Sequence, residues 1–120
     1  MKSRNNSQDA IFKAFSRIAE QWNLTEEEQL DLLNMKSLGL LKDFKRGVRI
    51  PPEDVFTRIY YLAKIYGSLH VLFSDSGVAN TWIRRPNSFR ISHCRTAIEL
   101  MTSNEAGVKM VYDYLMSQCS

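Results

Sequence analysis

Cysteine, histidine, proline and glycine are all scarce in this chain, and each scarcity narrows what the chain can be. Two cysteines, Cys94 and Cys119, are too few for a disulfide scaffold, and in a reducing compartment they read as free thiols. The two histidines, His70 and His93, have no partners at a metal-ligand spacing, so no metal and no cofactor are expected. The five glycines nowhere form a phosphate-cradling loop. Three prolines, two of them adjacent at Pro51-Pro52, leave long uninterrupted stretches between them. Long apolar runs are missing too. None approaches a bilayer span, and the opening MKSRNN lacks the apolar segment of a signal peptide, so a cytoplasmic location is expected.

Charge of one sign is also lacking. Residues 1–50 carry nine Lys/Arg against seven Asp/Glu, and residues 51–120 carry seven against six, for a formal net charge of +3. Neither half is a polybasic tail. Locally, however, Lys42, Lys45, Arg46 and Arg49 stand close together, opposed only by Asp43, and Arg84-Arg85 form a second basic spot. Such clusters can meet phosphates, although basic residues on a wet face are commonplace. A composition 44% hydrophobic and 24% charged is that of an ordinary globular protein. The 120 residues suffice for one compact unit, or for two small subdomains sharing a core.

The apolar residues recur at intervals of three and four, which predicts an all-α fold of six to seven helices in a compact bundle. Ile11, Phe12, Phe15, Ile18, Ala19 and Trp22 form a first stripe, with Ser7 or Asp9 as its cap. Thr25 followed by Glu28 has the spacing of a capping box, opening a second helix with Leu30, Leu32 and Leu33. A tight break at Asn34 and Met35 precedes a short helix bearing Leu38, Leu41 and Phe44, which Gly47 can stop in the left-handed conformation. Pro51-Pro52 marks the clearest internal boundary. From Glu53 the longest periodic segment runs through Val55, Ile59, Leu62, Tyr66, Leu69 and Phe73. A short helix follows through Val78, Ala79, Trp82 and Ile83, ending at Pro86, and residues 87–95 read as a loop. Ala97, Ile98, Leu100 and Met101 make one or two more turns. A last helix is expected from about Asn104 through Val108, Val111, Tyr112, Leu115 and Met116, with Gly107 inside it. An interior glycine costs on the order of 1 kcal/mol relative to alanine, so close approach of another backbone is expected there.

Residues 24–46 have the proportions of a helix-turn-helix, in which two packed helices project the second toward a major groove. Its candidate DNA contacts are Lys36, Ser37, Lys42, Lys45, Arg46 and Arg49. Gly39 lies inside that second helix, and its first turn carries no Asn, Gln or Arg, so phosphate contact is expected rather than base reading. The carboxyl half offers no nucleophile set, metal cluster or triad signature, and an enzyme is the weakest reading. Trp82 has the bulk of a core anchor. Arg84, Arg85 and Asn87 present directional donors, and Tyr112 and Tyr114 fall on different faces of the last helix, so the Tyr114 side is a candidate interface.

Particular residues carry a family resemblance. LFxD at 72–75, AxxWIRRPN at 79–87, Phe89, AIELM at 97–101 and GxxxVxxYL at 107–115 follow in order over about 45 residues. With LTEEE at 24–28, the chain resembles the bacterial antitoxins of the Xre/MbcA/ParS-like group. It departs from their pattern near His93 and Ala97, where a glycine and a proline are usual, and at Glu99, where aspartate is common. The resemblance implies an Xre-like helix-turn-helix region at 1–50, and a central long helix plus a toxin-binding domain at 51–120. It also implies a noncatalytic antitoxin of a type II system, binding a RES-domain toxin that consumes NAD and regulating its own operator, as a homodimer or as a hetero-oligomer with the toxin. Carried onto this chain, toxin contact falls on Trp82, Arg84, Arg85, Asn87, Tyr114, Leu115 and Gln118, and operator contact on residues 36–49. The alternative is a helix-turn-helix transcriptional regulator whose carboxyl half serves dimerisation only.

Overall fold

Helices account for all the regular structure in a computed structural model that describes residues 6–86 and 96–119. The fold is all-α. Among the described residues there are seven α-helices: α1 (Asn6–Gln21), α2 (Glu26–Leu32), α3 (Leu38–Arg46), α4 (Glu53–Leu72), α5 (Ser76–Thr81), α6 (Ala97–Ser103) and α7 (Gly107–Cys119). A 3-10 turn, Trp82–Arg84, extends α5. None of these helices is long and apolar enough to cross a membrane. Two compact units divide within α4, Met1–Tyr60 and Tyr61–Ser120.

In the first unit, local chemistry sets the helix ends. Thr25 Oγ1 accepts from Glu28 N at 3.0 Å while Glu28 Oε1 accepts from Thr25 N at 3.0 Å, completing the expected capping box at the start of α2. Ser37 caps α3 by accepting from Leu40 N at 3.1 Å. Gly47 closes α3 at φ 77°, with its N–H donating to the Asp43 and Phe44 carbonyls. Asn34, at φ 57°, makes the break between α2 and α3. Asn6, Ser7 and Asp9 are all helical, so neither Ser7 nor Asp9 stands outside α1 as its cap.

The α1 stripe is buried as its spacing requires, with Phe12 at 2% and Phe15 at 0% exposure. Phe12 meets Phe44 of α3 and Phe56 of α4, ring centroids 6.1 and 6.4 Å apart. Two buried polar side chains tie this core to the chain around it. Gln8 Nε2 donates to the Phe44 carbonyl at 3.1 Å and to the Arg49 carbonyl at 2.8 Å, fastening the end of α3 to α1. Arg58, also buried, donates to Asp54 Oδ2 at 2.9 Å and to the Leu32 carbonyl at 3.4 Å, where α2 ends. Backbone carbonyls at a helix end need partners, and a guanidinium supplies one here.

In the second unit, Leu62, Ile65 and Leu69 of α4 are buried, and α6 and α7 pack against each other. Gly107 is the first residue of α7 rather than an interior position, so the propensity cost of an interior glycine does not arise. The expected backbone approach is nevertheless present. A Cβ at Gly107 would stand 2.1 Å from the Leu100 carbonyl oxygen and 2.9 Å from Met101 Cα. Asn104 turns the chain between the two helices: its carbonyl accepts from Gly107 N at 2.8 Å, and its side-chain oxygen accepts from Ala106 N at 2.9 Å.

Candidate functional site

The candidate DNA contacts of the first unit lie on α3 and the residues just before and after it, and the structure separates them by what they do. Lys36 and Lys42 are exposed. Ser37 is occupied by its cap, and a hydroxyl accepting from Leu40 N retains its own proton to donate. Lys45 is turned inward: its Nζ donates to Gln29 Oε1 at 3.2 Å and lies 5.8 Å from the Phe15 ring centroid. Burial pushes its ammonium pKa below the usual lysine value, and Lys42 acts in the same direction against the opposing pull of Glu26. Lys45 therefore bolts α3 to α1 and α2 as well as adding charge.

Arg46 and Arg49 converge on one carboxylate. Arg46 donates to Asp43 Oδ1 at 2.6 Å, and Arg49 Nε donates to Asp43 Oδ2 at 3.3 Å. Hydrogen bonding to Arg46, joined by the charge of both guanidiniums, holds the Asp43 carboxyl below its ordinary range. Gly39, Lys42, Asp43, Lys45 and Arg46 line an open surface groove along this face. Gln8 holds the backbone beneath Arg49. Its part could have been read from the sequence, because it stands four residues before Phe12 on the same helical face.

In the second unit, α5 and the 3-10 turn that follows carry Trp82, Ile83, Arg84 and Arg85 to one corner. Asp75 caps α5 by accepting from Val78 N at 3.1 Å. Trp82 is only 7% exposed and stacks on Tyr114 of α7, with ring centroids 6.4 Å apart and planes 20° from parallel. Tyr112, on another face of α7, meets Tyr61 of α4 at 4.6 Å. The two tyrosines thus point apart, as their spacing requires. Leu115 is buried, so its contribution to any docking surface is to hold α7 in place. Arg84, Arg85 and Gln118 are exposed, and Tyr114 is half-buried. Arg85 donates through Nε and Nη2 to Thr81 Oγ1 at 3.3 and 3.2 Å, and that hydroxyl donates to the Gly77 carbonyl at 2.8 Å. The guanidinium is thereby aimed by α5. Asn87, together with His93 and Cys94, lies outside the described residues.

Among the described residues no group of three His, Cys, Asp or Glu side chains is placed to hold a metal ion. The described residues thus present two features: a basic face on the first unit, and in the second a Trp82–Tyr114 stack with exposed Arg84 and Arg85 following Trp82 in the chain.

No protein-family model matches the chain. The chain is similar to an uncharacterized protein, y4oB, of Sinorhizobium fredii (strain NBRC 101917 / NGR234), with 34% identity over 80 residues. The match takes in 67% of this chain and 62% of that protein, so the chain spans less than two thirds of the relative's length.

Proposed function

We propose that this chain is the antitoxin of a type II toxin–antitoxin pair. In this reading its second unit binds and blocks a RES-type, NAD-consuming toxin, and its first unit contacts operator DNA to regulate the operon. The observation that carries the proposal is the meeting of two separated segments of the resemblance. Trp82 of AxxWIRRPN and Tyr114 of GxxxVxxYL stack on one another, with exposed Arg84 and Arg85 just after Trp82 in the chain. Buried aromatics that fix a surface, joined with arginines that present donors to it, are the composition of interface hot spots. The toxin-contact residues are then Arg84, Arg85, Tyr114 and Gln118, supported from within by Trp82 and Leu115. The NAD chemistry belongs to the partner.

The basic face of α3 favours a second reading, a DNA-binding regulator whose carboxyl half only dimerises. One experiment separates the two. The chain is co-purified with the product of the adjacent gene, and NAD consumption by that product is measured with and without it. A tight complex that suppresses NAD consumption is expected. An Arg84→Glu/Arg85→Glu variant should keep its circular dichroism and self-association but lose suppression. A wild-type chain that neither binds nor suppresses an active, folded neighbour, with the variant losing only self-association, would assign the corner to dimerisation and overturn the antitoxin reading.

A further inference from the structure

Asp43 is the acidic residue inside the basic cluster, and its placement gives it a particular hold. Its two carboxylate oxygens are divided between two guanidiniums, Oδ1 accepting from Arg46 at 2.6 Å and Oδ2 from Arg49 Nε at 3.3 Å. The arginine side chains remain 69% and 65% exposed, whereas that of Asp43 is 27% exposed. The carboxylate is thus set back on the helix with the two arginines folded over it from the solvent side. A guanidinium binds a carboxylate and a phosphate through the same fork of donors, so the two anions compete for it.

We propose that Asp43 is an electrostatic brake on this surface: a phosphate backbone must displace the carboxylate from Arg46 and Arg49 before it can use them. The inference rests on the DNA-contact reading of the first unit and adds the residue that sets how tightly that unit holds duplex DNA. The brake leaves Lys36 and Lys42 as the first cations a duplex meets and brings the two arginines in only on close approach. It lowers affinity for DNA of any sequence, because the residues it restrains are phosphate contacts, and phosphate contacts carry no sequence information.

The test is binding of the full chain to a fluorescent duplex of arbitrary sequence across a salt series, for wild type, Asp43→Asn, and Asp43→Asn with Arg46→Ala and Arg49→Ala. The α3 terminus relies on the Asp43 carbonyl rather than its carboxylate, so Asp43→Asn preserves that backbone closure. Asp43→Asn should bind about tenfold more tightly at low salt. Its plot of log affinity against log salt should be steeper by roughly one to two, since each further phosphate neutralised contributes a slope of about 0.9. The added arginine substitutions should abolish both effects. Wild-type binding with an unchanged affinity and slope in Asp43→Asn would overturn the brake while sparing the DNA reading. If neither wild type nor Asp43→Asn binds the duplex at low salt, the DNA reading fails and the brake fails with it.

Discussion

Replacing Gly107 by alanine tests how α6 and α7 are held together. The added Cβ would lie 2.1 Å from the Leu100 carbonyl oxygen, 2.7 Å from its carbonyl carbon and 2.9 Å from Met101 Cα. Non-bonded carbon atoms settle at about 3.5–4.0 Å, so the two helices would have to part by roughly 1 Å or more. The obstacle is backbone, which cannot rotate aside as a side-chain tip can. Leu100 and Met101 are each 1% exposed, and the Leu100 carbonyl is already engaged by Asn104 N at 3.2 Å, so nearby relief is small. Overpacking costs about 1–3 kcal/mol where side chains can adjust, and this case belongs at or above the top of that range. Against it stands the reduced flexibility of the unfolded chain, which favours alanine by about 0.4–1 kcal/mol. Gly107 is outside the left-handed region, so the effect is one of space alone. The expected net destabilisation is about 2–3 kcal/mol, or a melting temperature lower by roughly 10 °C, read by circular dichroism in parallel thermal and urea melts. Gly67 on α4 is the control, because a Cβ there has nothing within 4 Å, and Gly67→Ala should stabilise by up to about 1 kcal/mol. A Gly107→Ala protein that melts at or above wild type would refute the close-approach argument.

Three further outcomes are expected. Gln8→Leu removes two hydrogen bonds and takes its donor from the Arg49 carbonyl, while the Phe44 carbonyl keeps Gly47 N, at a cost of about 1–2 kcal/mol in urea unfolding; a neutral result would mean that water replaces the amide. Lys45→Met changes how stability depends on pH. The folded-state pKa of Lys45 lies below its unfolded value of 10.5, so the unfolded chain binds more protons in the window just under 10.5, and wild-type stability rises with pH through that window on account of this residue. The variant should lack that rise, and unfolding curves of the two proteins between neutral pH and 10.5 would be compared, with an identical slope counting against the burial argument. Lys42→Ala with Arg46→Ala should weaken duplex binding across sequences and lower the salt slope by about one for each phosphate no longer neutralised. Unchanged binding would make the basic cluster a wet face and nothing more.

Much of this architecture is local in origin, and that part could be read in advance. Thr25 with Glu28, Gly47 and the Pro51-Pro52 pair act on their own helix ends, so helix order and several boundaries were legible from neighbours a few residues apart. The three-and-four spacing of Phe12, Phe15, Ile18 and Trp22 determined which face of α1 is buried. Identical residue types diverged where distant partners intervene. Lys42 and Lys45 are equivalent in the sequence, yet one is exposed and the other lies against Gln29 and Phe15, because α1 and α2 close over one side of α3. Asp43 appeared only as a lone opposing charge, and its division between Arg46 and Arg49 depends on how the chain turns after Gly47. Arg58 gave no sign that it would reach the end of α2, since Leu32 stands far from it along the chain. The resemblance marked Trp82 and Tyr114 separately, and packing within the second unit brought them face to face. Helix caps and apolar periodicity are interactions within a turn or two, so the helices and their buried faces follow from residues that are neighbours in the chain. Which cations stay in water, which aromatics stack and how closely two helices approach at Gly107 depend on how separate helices pack, which no run of neighbouring residues specifies.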